Sequence, residues 1–363
     1  MNVLQTRRGS LRLPAFLPDG TRAVVRGLDA ADLRACGIEA MMVNALHLST
    51  SPGTSTVAAV GGVHRFMGWD GIVASDSGGF QAWSLAHANA KLGSVTDKGF
   101  VYRHEKKGAK HLLTPEKCIR HQVELGSDIL FCLDQCTHPD ESAEVQAASV
   151  ARTLAWARRC RDEFVARTGA EPGRSDPGNR PLLFAVVQGG NDDDLRKRCA
   201  GELVEMGFDG FGFGGWPVEA GGGLTDMVAR VAELLPTQAP KHALGIGKPD
   251  NIVAAWRAGY TLFDCAIPTR DARRRRLYVT SDSVVNAVEK FNNFAFLYME
   301  DERHARDESP VDPQLDPDGP SRAYLHHLFK IKDGSAERLA TKHNLTFYAR
   351  LIDDLRRAEG PAS

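Results

Sequence analysis

Two acidic residues close apolar runs in a way that suits nucleophilic chemistry. Asp264 ends the run Thr261-Leu262-Phe263-Asp264 and is followed by Cys265-Ala266-Ile267-Pro268-Thr269-Arg270, so an anionic side chain precedes a basic segment. Asp76 ends Gly71-Ile72-Val73-Ala74-Ser75-Asp76 and leads into Ser77-Gly78-Gly79-Phe80-Gln81, where paired glycines let a ligand approach the backbone closely. Two strand-end carboxylates beside a polyanionic substrate point to displacement at a sugar carbon. One attacks and the other handles the proton.

Such residues need rigid elements behind them, and the chain supplies a repeating set. Short apolar runs at Ala15 to Leu17, Ala40 to Asn44, Ile72 to Asp76, Ile129 to Asp134, Leu182 to Gln188, Gly210 to Gly214, His242 to Gly247 and Leu262 to Asp264 read as buried parallel strands. Helical patterns lie between them at Ala31 to Cys36, Pro115 to Leu125, Glu141 to Arg167, Asp192 to Met206 and Pro249 to Ala258. This alternation predicts an α/β fold, a (β/α)8 TIM barrel. Asn44, Asp76, Asp134, Gln188, Gly214, Gly247 and Asp264 then close successive strands at the C-terminal rim, where the active sites of this fold sit.

Two segments depart from the alternation. Gly93 to Leu113 reads as a polar hairpin inserted after the third strand, with Lys98, Arg103, Lys106, Lys107 and Lys110 around its turns. After the barrel, residues 277–363 form a C-terminal extension to a catalytic barrel of residues 1–276. In it an extended Pro/Asp-rich stretch, Asp307 to Pro320, precedes helices over Ser321 to Ile331 and Ser335 to Arg357, which are expected to pack on the barrel.

With 363 residues, 42% apolar and 25% charged, the chain is long enough for a substantial core. Lys plus Arg number 45 against 46 Asp plus Glu, so any nucleic-acid affinity must come from a local patch. The densest basic run, Arg270 with Arg273, Arg274, Arg275 and Arg276, directly follows Asp264. Seven cysteines without a CxxC pair argue for reduced thiols in a cytoplasmic protein. No signal-like N-terminus and no membrane-length apolar stretch is present, so no membrane partner is expected.

Several segments taken together resemble the tRNA-guanine (queuine) transglycosylases. They are Ser75 to Gln81, Phe131-Cys132-Leu133-Asp134-Gln135-Cys136-Thr137, Val187-Gln188-Gly189-Gly190, Gly214-Gly215, Leu244-Gly245-Ile246-Gly247-Lys248-Pro249 and Phe263 to Arg270. His64-Arg65-Phe66-Met67-Gly68-Trp69 and Ser321-Arg322-Ala323-Tyr324-Leu325-His326-His327 add to the match, which spans nearly the whole chain in order.

The resemblance implies that a guanine in a polynucleotide is exchanged for a 7-deazaguanine of preQ1 or preQ0 type. Asp264 is then the nucleophile at ribose C1′, giving a covalent aspartyl-glycosyl intermediate, and Asp76 the general acid/base. Asp134 and Gln188 would read the guanine edge, Gly214, Gly215 and Gly245 would let backbone groups reach the base, and Phe80 with Leu244 would sandwich its ring. Lys248, Arg270, Arg273 and Arg274 would hold phosphates around a flipped-out nucleotide. The implied partners are tRNA, the 7-deazaguanine base and a second copy of the chain in a homodimer; no cofactor is implied.

The sequence departs from the family's pattern at its metal site. The family's CxCxxC positions read Asp312, Gln314 and Pro317 here, and only His343 matches the fourth zinc ligand, so a zinc-less extension is expected. Trp216-Pro217 also replaces the small or aliphatic pair expected after the glycines. The altered C-terminal region keeps open the same chemistry on DNA, and a non-catalytic accessory subunit is a further alternative, disfavoured by the two intact acids.

Overall fold

Strand alternation decides which side chains enter the barrel. The structure, a computed structural model, describes residues 3–88, 93–103, 109–280 and 294–358. Its centre is a sheet of eight parallel strands: Ala15–Pro18, Ala40–Asn44, Ile72–Asp76, Ile129–Phe131, Leu182–Val187, Gly210–Phe213, Lys241–Ala243 and Leu262–Cys265. From the second to the eighth each strand pairs with its sequence neighbour, and the eighth pairs with the first. Between the first and second strands, Asp19 bridges Met42 in parallel and the Gly20 N–H donates to the Met42 carbonyl at 2.7 Å, which completes the circle. The expected (β/α)8 barrel is what forms.

Along these strands one set of alternate residues packs into the barrel's inner core, including Ala15, Leu17, Ala40, Met42, Ile72, Ala74, Ile129, Phe131, Leu182, Phe184, Val186 and Leu262. The intervening residues, such as Phe16, Val43, Val73, Leu183, Ala185, Val187 and Phe263, pack outward under the helices. The two-residue period of a strand then aims Asn44, Asp76, Gln188, His242 and Asp264 inward, in step with Ala40, Ile72, Leu182 and Leu262. The polar rim is the continuation of the apolar barrel interior.

The expected helices form at Ala30–Ala35, Pro115–Leu125, Ala143–Thr168, Asp193–Met206 and Pro249–Arg257. Local sequence explains their ends. Thr114, Ser142 and Asp192 accept backbone N–H groups as N-caps, Pro115 and Pro249 open helices where their missing N–H costs nothing, and Gly126 and Gly169 end helices in the left-handed conformation.

Two elements differ from the sequence expectation. The insertion after the third strand is a three-stranded antiparallel sheet, Gly93–Thr96, Gly99–Tyr102 and His111–Leu113, rather than a hairpin. The third strand went unseen because His111-Leu112-Leu113 is too short to show alternation. This sheet is tied to the long helix Ala143–Thr168 by Arg152 on Asp97 at 3.0 Å and by the Trp156 indole donating to the Asp97 carbonyl at 2.9 Å. Lys106 and Lys107 lie outside the described residues. An N-terminal hairpin, Val3–Thr6 with Gly9–Arg12, was also not foreseen. Its Leu4 and Leu11 join the inner core, so it stoppers the end of the barrel opposite the rim.

In the C-terminal extension, Arg276–Thr280 pairs antiparallel with Phe294–Tyr298, and helices follow at Arg322–Lys330 and Gly334–Ala358. The last helix shares the barrel's outer core through Leu345, Phe347, Tyr348 and Leu351. The Tyr348 hydroxyl donates to the Gly247 carbonyl at 2.6 Å and Arg356 donates to the Pro14 carbonyl at 2.9 Å. The residues at the metal positions do not fit a zinc ion. The Asp312 carboxylate accepts from the Thr280 N–H and hydroxyl and from the Gln314 N–H, while His343 Nε2 lies 2.7 Å from the Tyr278 carbonyl. Pro317 offers no donor atom. A carboxylate-organised loop does the holding here.

Candidate active site

Three small hydrogen-bonded groups meet at the C-terminal mouth of the barrel. The first is built on strands two and three, whose register sets Asn44 opposite Asp76. The Asn44 amide donates to Asp76 Oδ2 at 2.6 Å and the Gly78 N–H to Oδ1 at 3.3 Å. Gly78 has φ +83°, and a Cβ there would stand 2.3 Å from the Leu46 Cβ, so only glycine permits this turn.

In the second group, Gln188 Nε2 donates to Asp134 Oδ2 at 2.6 Å. Gln188 is buried, and its Oε1 has no hydrogen-bond partner among the described residues. One amide hydrogen and one acceptor oxygen are therefore left for a ligand. Gly214 faces the same amide: a Cβ there would lie 2.4 Å from Gln188 Nε2, so the glycine makes room for the glutamine.

The third group centres on Asp264, whose side chain is 19% exposed. His242 Nε2 and the Gly245 N–H both reach Oδ1, at 2.8 and 3.1 Å. Gly245, read from the sequence as a base contact, spends its N–H on this carboxylate. Its φ of +73° is the left-handed geometry that glycine favours.

Electrostatics link the three groups. Burial, with the charge of Asp264 adding to it, pushes Asp76 up to about 6, while the Gly78 N–H and Asn44 pull the other way. Burial pushes Asp134 up to about 7, with Asp76 adding repulsion and Gln188 opposing it. The charge of Asp264 acts on Asp76 and that of Asp76 on Asp134, so the three groups face a common space, and raised proton affinities of this kind mark sites of acid/base chemistry.

Beside this space Phe80 stands half exposed, with Trp83 at 5.6 Å and Trp216 at 6.2 Å between ring centres. Trp216, at the position where a small or aliphatic residue was expected, thus adds an aromatic wall beside Phe80. On its other side lies His138, at 5.2 Å, and a cavity of about 610 Å³ that reaches Val218, Glu219 and Arg230. Leu244 leans on the inner core opposite Gly212, where an added Cβ would meet its Cδ1 at 2.9 Å.

The arginine run divides in two. Arg276 pairs with Asp271 at 2.7 Å and covers the Phe296 ring, and Arg275 lies over Phe329, so both serve packing. Arg270 and Arg273 sit on the short helix Ile267–Arg273 that follows Asp264, and Arg274 caps it. Arg273 Nη1 is buried without a hydrogen-bond partner among the described residues, and its guanidinium is held below its usual range by burial and by the neighbouring charge of Arg26. Lys248 lies 3.3 Å from Asp250.

Sequence reasoning passed over Asn44 as a partner of Asp76, His242 as a partner of Asp264, and Arg26 beside Arg273. The signal for the first two was present: each lies inward by parity on a rim strand.

With this arrangement established, similarity to known proteins becomes decisive. The family described as "Queuine tRNA-ribosyltransferase" matches residues 1–358. The chain belongs to that family. It is thereby a glycosyltransferase of the pentosyl-transferring kind. The chain is similar to the queuine tRNA-ribosyltransferases of Novosphingobium aromaticivorans, 38% identical over 98% of this chain and 90% of the relative, and of Desulfosudis oleivorans, 39% identical over 98% and 87%. The queuine tRNA-ribosyltransferase of Zymomonas mobilis is 34% identical over 98% and 86%. In this family member no helix among the described residues is long and apolar enough to cross a membrane.

Proposed function

We propose that the chain exchanges a guanine in tRNA for a 7-deazaguanine of the preQ1 or preQ0 type through a covalent bond between Asp264 and ribose C1′. The observation that carries this reading is the asymmetry of the two inward acids. Asp264 has one oxygen tied by two N–H donors and the other untied by the described residues, while Asp76 is raised to about 6, where a carboxyl both gives and takes a proton near neutrality. In the first half, an Asp264 oxygen bonds C1′ as the bond to guanine breaks, and the departing base takes the proton of Asp76. In the second half, Asp76 takes the proton of the incoming base as that base displaces Asp264.

Asp134 and Gln188 recognise the base in this proposal, accepting from the guanine N–H groups and donating to its oxygen or ring nitrogen. Phe80 and Leu244 flank its ring, and Gly214 and Gly215 admit it. Because a bound guanine donates to the ionised form of Asp134, and that acid sits at about 7, guanine affinity is expected to rise as pH rises through about 7 and then level off. Calorimetric titration across that range checks this. In Asp134→Asn the rise disappears along with most of the affinity; a pH-independent affinity in the unaltered protein contradicts the assignment.

Arg270, Arg273 and Arg274, with Lys248, grip phosphates on either side of the flipped nucleotide. Arg273→Ala is expected to weaken tRNA binding without altering base choice and to lower the salt slope by about one. An unchanged slope in a salt titration argues against that role. The proposed setting is the cytoplasm, in keeping with seven buried, unpaired cysteines, and the proposed assembly is a pair of identical chains.

The experiment for the whole reading offers labelled guanine to the pure protein with either tRNA or duplex DNA. Retention in tRNA supports it. Retention in DNA alone transfers the same chemistry to the other polymer, and retention in neither polymer rejects base exchange.

A further inference from the structure

One ring at the barrel mouth has no part in the scheme above except through Asp264. His242 is completely buried on the seventh barrel strand, edge-on to Phe131 with ring centres 5.3 Å apart. Its Nε2 lies 2.8 Å from Asp264 Oδ1, while its Nδ1 is buried with no hydrogen-bond partner among the described residues. A carboxylate oxygen only accepts, so Nε2 carries the hydrogen and the ring acts as a fixed donor. The Gly245 N–H reaches the same oxygen at 3.1 Å. Both donors therefore converge on Oδ1, from a backbone amide on a tight turn and a side chain clamped in the barrel core.

We infer that His242 is a positioning residue that, together with Gly245, locks Oδ1 and so selects Oδ2 as the atom that bonds the sugar. This rests on the reading of Asp264 as the nucleophile. Oδ2 forms its bond to C1′ while the bond from C1′ to the guanine nitrogen breaks. The electron pair leaves with the guanine, which takes the proton from Asp76, and Oδ1 becomes the carbonyl oxygen of the ester. His242 keeps its hydrogen throughout and continues to hold Oδ1. When the incoming base displaces the ester, its nitrogen bonds C1′, its proton passes to Asp76, and the electron pair returns to Oδ2. Freed from the lock, the carboxylate rotates about its Cβ–Cγ bond and presents neither oxygen in line.

Two substitutions separate a donor from a mere filler. His242→Phe fills similar space beside Phe131 but cannot donate, whereas His242→Gln keeps an N–H. In His242→Phe, kcat is expected to fall about 10- to 100-fold, the cost of a misaligned reacting atom, with KM for tRNA little changed and slower formation of the Asp264 adduct. His242→Gln is expected to recover most of kcat. His242→Leu gives the same comparison where the Phe protein melts early. Unchanged kcat in the donor-less proteins, a loss confined to KM, or equal losses in the Gln and Phe proteins at unchanged melting temperature overturns the inference. An adduct on Asp264 in the unaltered protein, together with a fully active His242→Phe, sinks this inference alone; absence of any adduct in the unaltered protein sinks the base-exchange reading itself.

Discussion

Asp264→Asn is expected to abolish base exchange, by about 10⁴-fold or more, while tRNA still binds. An amide keeps the size of the carboxylate and still accepts from His242 and the Gly245 N–H on its oxygen. What it loses is the charge that attacks C1′ and steadies an oxocarbenium-like centre. Binding is expected to survive because the proposed phosphate contacts lie on the following helix, Ile267–Arg273 and Arg274, whose backbone the substitution does not touch. Single-turnover release of guanine from tRNA, measured beside filter binding, checks both halves. Loss of binding in step with loss of exchange would show that Asp264 holds the substrate rather than reacts with it.

Asp76→Asn is expected to slow exchange by roughly 100- to 10,000-fold, the range for a lost general acid/base. The pH dependence supplies a sharper sign. The folded protein holds Asp76 at about 6, above the 3.8 of a free aspartate, so its protonated form persists to higher pH than usual. A departing guanine needs that proton, and the first half-reaction should therefore slow as pH rises through about 6, by at most tenfold per unit. The Asp76→Asn protein should show a slow, flat profile in the same range. A profile that falls identically in both proteins assigns the titration to another group, with Asp134, raised by burial to about 7, the first candidate.

The same raised proton affinities bear on folding. For a carboxyl whose folded value exceeds its unfolded one, the stabilising contribution is full below the unfolded value near 4 and is lost as pH rises through the folded value. For Asp76 and Asp134 that window runs from about 4 to about 7. The unliganded mouth is therefore least stable above about pH 7, and under the proposed role of Asp134 a purine that donates to it would relieve this.

Much of this was legible in the chain. The eight apolar runs showed the barrel because each strand is short and bounded by Gly, Asp or Asn, and because strand parity carries polar residues to the inner rim. Asp76, Asp134, Gln188 and Asp264 come together there as expected. The missed hydrogen-bond partners share one cause: parity along a strand marks a residue as inward, but linear spacing does not say which residue of another strand it meets. His242 lies inside a strand between Lys241 and Ala243, where a lone histidine reads as core, and only the pairing of strands seven and eight brings it to Asp264. Gly245 was legible as a backbone needing freedom, but the target of its N–H was not. The third strand of the inserted sheet and the N-terminal hairpin were hidden by shortness, with strands of three or four residues that carry too few alternations to count.

Everything in the proposed chemistry requires that the oxygen of Asp264, and not that of Asp76, bonds the sugar. The most direct measurement denatures the protein during turnover with tRNA and maps the residue that carries the RNA by mass spectrometry of the digested adduct. The account predicts nucleotide attached to the peptide containing Asp264 and its absence in Asp264→Asn. Nucleotide on the Asp76 peptide, or rapid base exchange with no adduct at any time, would contradict it.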